Sequence, residues 1–139
     1  MSSSPPTTVR AAAALVGLEG TAGMAGAVVF LIRGLTGADR HIVNGFGNAA
    51  WFAVIGAALL TSAWALWTGR RWGRGIAVFA QLLLLPVTWY VAVGSHRWFY
   101  GIPVAVIAAA ALVLLFAPAT LRWLAYDPAS SDSSGPDTR

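Results

Sequence analysis

Neither cysteine nor lysine occurs among these 139 residues, and there are only five acidic residues and two histidines. Without cysteine there is no disulfide, no thiolate metal site, no iron–sulfur cluster and no c-type haem attachment. Without lysine there is no phosphate-binding loop of the G-x-x-x-x-G-K type, which excludes nucleotide hydrolysis by that route. His41 and His96 fall in connecting segments, so no histidine is placed inside an apolar stretch to ligate a buried haem. Apart from Glu19, the acids are Asp39 in a loop and Asp127, Asp132 and Asp137 in the C-terminal tail. No Ser/His/Asp set and no carboxylate pair can be assembled from these residues, and Asp39, His41 and His96 have no recognised metal-ligand spacing. The expectation is a protein without enzymatic activity, metal or cofactor.

What the chain has is apolar length. Hydrophobic residues make up 58% of it, charged residues 10%, and its mean hydropathy is +0.69, whereas soluble domains carry about 25% charge. This pattern predicts an all-α polytopic membrane protein, a bundle of four transmembrane helices over about 11–32, 47–68, 75–94 and 99–119. Each stretch of about 20 residues, at about 1.5 Å per residue, matches a hydrocarbon layer about 30 Å thick. The transmembrane domain is then 11–123, between a disordered N-terminus, 1–10, rich in Ser, Pro and Thr, and a disordered tail, 124–139. Ala25-Gly26-Ala27 has the small-x-small character of a signal-peptidase site. Glu19 within the apolar region and the length of that region point instead to a retained helix.

The nine basic residues are all arginine, and with abundant Ala and Gly they point to a GC-rich bacterial genome. They lie scattered at span ends, so the basic balance signals topology and no nucleic-acid partner is expected. Arg10, Arg70, Arg71, Arg74 and Arg122 flank the side shared by both termini, and Arg33, Arg40 and Arg97 flank the other. By the positive-inside rule both termini are expected in the cytoplasm, with the protein in the bacterial plasma membrane. Two aromatic belts fit the same arrangement. Trp51, Trp89, Tyr90, Trp98, Phe99 and Tyr100 mark one interface, and Trp64, Trp67, Trp72, Trp123 and Tyr126 mark the other.

Glu19 is the one residue inside the four stretches whose side chain carries a formal charge at neutral pH. A carboxyl at the centre of a membrane helix costs about 2.5–3.5 kcal/mol on insertion scales and calls for a partner, a proton or a use. Hydrocarbon disfavours the charged form, so the neutral acid is the expected species. Gly17, Gly20, Gly23 and Gly26 recur at every third position of the same span, forming a helix-packing face of small residues that lets another backbone approach closely. Arg10 and Arg33 lie more than two turns away. At similar depth on other spans are Thr61, Ser62 and Gln81, which with Glu19 define a candidate intramembrane polar cluster. Two roles remain open for Glu19: a carboxyl that exchanges a proton or cation, and a hydrogen-bonded acid that fixes helix packing.

Other features shape the bundle. Pro86 in mid-span removes a backbone hydrogen bond and predicts a kinked third helix. Pro103 near the start of the fourth span and Pro118 near its end read as helix punctuation. Arg70, Arg71 and Arg74, in the turn Arg70-Arg71-Trp72-Gly73-Arg74, are expected either to bind lipid headgroups or to anchor the topology.

Four short spans with a lone glutamate in the first resemble small multidrug resistance transporters, proton-coupled antiporters that work as dimers. That resemblance implies Glu19 as the exchanging carboxyl. The Arg70-Arg71-Trp72-Gly73-Arg74 turn, followed by Gln81 and by Leu82 to Pro86, is similar in pattern to small four-span actinobacterial membrane proteins of unassigned activity. The leading functional expectation is an accessory or interaction protein that packs against itself or a larger membrane complex, with the glycine-lined first helix as its docking face. The alternative is a small proton-coupled transporter. The expected partners are the lipid bilayer and either a membrane protein or further copies of the chain.

Overall fold

The computed structural model describes residues 4–38, 42–94, 96 and 98–125. They form α1 (Thr7–Leu35), α2 (Ile42–Trp67), α3 (Arg71–Trp89) running on into a π-helical turn (Tyr90–Gly94), α4 (Trp98–Leu115) and the short α5 (Pro118–Ala125). No strand occurs among the described residues. Four of these helical stretches are long and apolar enough to cross a membrane, the third of them comprising α3 and its π turn. Asp39, Arg40, His41, Arg97 and residues 126–139 lie outside the described residues.

Local chemistry places the helix ends. α1 begins directly after Pro5-Pro6 and so takes in residues 7–10, which composition alone assigns to a disordered terminus. It ends where Thr36 returns its backbone N–H to the Ile32 carbonyl at 2.9 Å and Gly37 turns left-handed at φ 67°. Glycine enters that conformation without the steric penalty a Cβ brings. At 29 residues α1 is about 43 Å long, which exceeds the ~30 Å hydrocarbon core and carries both ends into the interfaces. α2 is closed by Gly69 at φ 75°. α3 then starts at Arg71, four residues before the expected start of that span, because arginine is a good helix former whose long stem lets its charge reach the interface.

Pro86 lies inside α3, and after one more turn the α pattern widens into the π turn Tyr90–Gly94. The proline ring removes one N–H, and the Tyr90 N–H is shared between the carbonyls of Pro86 and Val87. Pro118 begins α5 as well as following α4, occupying the first helical position, where a missing N–H is harmless.

α1 packs on α2 and α4, and α3 packs on the same two helices, so α1 and α3 face each other diagonally across a four-helix ring. The core is built from small side chains, among them Ala12, Ala13, Ala77 and Ala111, with Val16, Leu59, Leu66 and Leu115. The large apolar residues point outward, including Val54, Phe79, Val106 and Val113. A water-soluble bundle reverses that distribution. Lipid contributes no hydrophobic drive for helices to associate, so small residues inside and bulky ones against the acyl chains define a multi-pass membrane bundle.

Candidate functional site

Inside this apolar ring the buried polar side chains Ser62, Gln81, Thr88 and Thr120 all find hydrogen-bond partners. The most central pairing joins the diagonal helices: Gln81 of α3, fully buried, donates its Nε2–H to Oε2 of Glu19 on α1. Their other oxygens, Glu19 Oε1 and Gln81 Oε1, are both buried without a partner. Both are acceptors that lack a donor, and a proton on the carboxyl could serve one of them.

The rest of the expected cluster does not join. Thr61 is exposed and donates back into its own helix, to the Ala57 carbonyl at 2.7 Å. Back-bonding of this kind satisfies a threonine hydroxyl without leaving the helix. Ser62 is buried but donates to the Gly73 carbonyl at 2.6 Å, tying α2 to the start of α3. Ser62→Ala should remove that tie at a cost of about 1 kcal/mol, visible as a lower midpoint in SDS or thermal unfolding of the detergent-solubilised protein.

The glycine face is spent within the chain. A Cβ on Gly20 would lie 2.9 Å from the Leu60 backbone nitrogen, one on Gly23 would lie 3.1 Å from Gly56 Cα, and one on Gly26 would lie 3.2 Å from the Phe52 ring. Gly17 is looser, its Cβ position falling 3.6 Å from Ala63. These residues therefore seat α2, and the small-residue seam closes an intramolecular hairpin.

Three close approaches escaped the sequence reading. Gly56 is the α2 half of the α1–α2 seam, Gly73 meets Ala65 and Ser62, and Gly101 of α4 sits against the backbone of Thr88 and Ala92 at the π turn. Glycine inside an apolar helix was the available signal, but which glycine meets which backbone depends on the interhelical register.

The arginines of the expected turn separate into two roles. Arg70 lies over the Trp64 ring at 5.0 Å. Arg71 and Arg74 reach from the first turn of α3 to the ends of later helices. Arg71 donates Nε–H to the Leu124 carbonyl at 2.8 Å and an Nη2 hydrogen to Ala125 at 3.0 Å, and Arg74 donates Nε–H to the Leu115 carbonyl at 3.1 Å. They supply the last carbonyls of α5 and α4 with the donors a helix C-terminus lacks. Thr120 completes this corner. Its hydroxyl donates to Leu114 at 2.7 Å and lies 3.3 Å from that of Thr8, which brings α1 and α5 together at the end of the bundle that carries both termini. Arg71→Gln should loosen α5, and faster amide exchange at Thr120 to Ala125 than in the unsubstituted protein would register it.

The fold and its polar centre define a small four-span α-helical membrane protein with one acid–amide pair across its core. No protein family, curated protein or solved structure matches this chain.

Proposed function

We propose that this protein is a non-enzymatic subunit of the plasma membrane of a GC-rich bacterium of the actinobacterial type. Both termini lie in the cytoplasm, and the subunit acts by packing against a larger membrane complex or its own copies. One observation carries this reading: the back of α1 is an uncovered stripe that, Leu18 apart, consists of alanines. Ala11, Ala14, Leu18, Ala22 and Ala25 are all exposed, at spacings of three and four residues that keep them on one side of the helix. The most apolar window of α1 is 17% buried against 33% for α2, the lowest share among the four spans. With its glycines committed to α2, this stripe is the remaining surface on α1 where a second backbone can come close.

Purification in mild detergent, followed by mass spectrometry, should recover a stoichiometric partner or a homo-oligomer. Ala22→Phe should diminish that recovery, and a bulky substitution at exposed Val113 of α4 should leave it unchanged. Isolation as a lone monomer in every mild detergent would sink the assignment.

A second reading, a small proton-coupled transporter, is favoured by the unpartnered oxygens of Glu19 and Gln81 at the bundle centre. In liposomes such a protein should dissipate an imposed pH gradient, and Glu19→Gln should abolish the flux. Flux that survives this substitution removes Glu19 from the mechanism.

A further inference from the structure

We propose that the groove between α3 and the α4–α5 corner is a binding site for one anionic phospholipid from the leaflet on the side of the termini. The groove encloses about 460 Å³, with Arg71 and Arg74 at its outer end and Val78, Phe79 and Leu82 of α3 along one wall. Phe116, from the break between α4 and α5, forms the facing wall. Phe79, Leu82 and Phe116 are 64%, 57% and 52% exposed, so the space lies open to the bilayer.

Length and charge both select the occupant. From Arg71 to Leu82 is eleven residues, about 16 Å of helix, which runs from the interface into the outer part of one leaflet, whose hydrocarbon is about 15 Å deep. A molecule filling the groove therefore has its head at the guanidinium groups and its tail against Phe79 and Leu82. The first turn of α3 contains no acidic residue, and its N-cap, Arg70, makes no side-chain capping bond, leaving the positive end of the helix dipole toward the same place.

Arg74 is held in position rather than used up. Its guanidinium stacks 4.8 Å over the Phe116 ring, and its Nε–H on Leu115 is one of the five donors an arginine carries. Arg71 is held beside it by the end of α5. An apolar helix of a partner or a second copy would fill the lower groove and leave the Arg74 guanidinium facing apolar surface. A phosphodiester on an acyl chain meets both ends.

The test is native mass spectrometry of the delipidated full chain, offered phosphatidylglycerol and phosphatidylcholine of identical acyl chains. Phosphatidylglycerol should be retained about fivefold or more over phosphatidylcholine, the preference that one arginine at an anionic membrane surface confers. Arg74→Gln should remove that preference. Because the substitution also weakens the α4 cap, Gly75→Trp gives an independent check. Gly75 lies in the groove, a Cβ added there meets nothing within 4 Å, and its indole should expel the lipid while leaving both arginines in place. Arg70→Gln, outside the groove, should retain the preference. Equal retention of the two lipids would overturn the proposal, as would equal losses from Arg70→Gln and Arg74→Gln, which would indicate diffuse surface attraction. Displacement of the lipid by inorganic phosphate, with Gly75→Trp silent, would mean an anion site without an acyl groove. A dimer mass in place of lipid would assign the surface to a second copy.

Discussion

Gly56→Val should weaken the protein more than any other single substitution considered for this bundle, because it drives a side chain between two backbones. A Cβ at Gly56 would lie 2.9 Å from the Met24 backbone nitrogen and 3.0 Å from the Gly20 carbonyl oxygen. Neither atom can move without displacing α1. Overpacking of this kind costs about 1–3 kcal/mol for a modest insertion, and a branched side chain belongs at the upper end. The helical gain from replacing a glycine, about 0.5–1 kcal/mol, does not offset it. The matched control is Gly47→Ala in the same helix, where an added Cβ meets nothing within 4 Å and the glycine penalty alone is relieved. Unfolding in SDS should therefore move in opposite directions for the two variants. Equal midpoints would show that the α1–α2 seam is not the close contact described.

The second large effect lies at the centre. Gln81→Leu keeps the approximate shape but takes from Glu19 the donor it uses, leaving a buried carboxyl unserved. A membrane hydrogen bond averages about 0.6 kcal/mol and reaches about 1.7, and an unsatisfied buried group adds about 1–3 kcal/mol. A loss of about 2 kcal/mol is expected. Glu19→Gln should behave differently: its amide can still accept from Gln81 and also offers N–H to Gln81 Oε1, which has no partner. Stability should be unchanged or higher. The double replacement Glu19→Leu with Gln81→Leu should cost less than Gln81→Leu alone, because both polar partners leave together. If Glu19→Gln is as damaging as Gln81→Leu, a charged carboxylate is required and the packing account fails. These stability measurements also bear on the transporter reading, since a substitution that abolishes proton flux while leaving stability intact separates chemistry from architecture.

The four spans were legible because each is a run of apolar residues close to the thickness of a bilayer, and nothing else in the chain competes with that signal. Their ends were less so. Residues 7–10 and 71–74 read as polar flanks, yet they extend α1 and α3, since interfacial residues can remain helical beyond the apolar run. Counting rise per residue put Glu19 and Gln81 at similar depth, and the two do meet. The same count grouped Thr61 and Ser62 with them, but depth carries no information on the angle around the helix axis. One of these hydroxyls turned outward and the other toward Gly73. The packing role of Gly20 and Gly23 was readable from their spacing; their partner Gly56 was not, because α2 could slide along α1 by a turn without altering either hydropathy pattern. The capping by Arg71 and Arg74 depends on where α4 and α5 end, which no local feature of residues 70–74 encodes.

The diagonal position of the acid–amide pair also sets an order of events. Chains are synthesised from the N-terminus at about 5–20 residues per second, and Gln81 follows Glu19 by 62 positions, so the acid exists for about 3–12 s before its partner does. In that interval α1 and α2 can already close along Gly20, Gly23 and Gly56, forming a hairpin with the carboxyl still unanswered on its open side. α3 thus arrives at a template with one polar demand, and the residue that meets it sits about 15 Å along that helix from Arg71. A helix entering one turn out of register would leave both the acid and the amide stranded in hydrocarbon. The register of the third helix is thus tied to the Glu19–Gln81 pair.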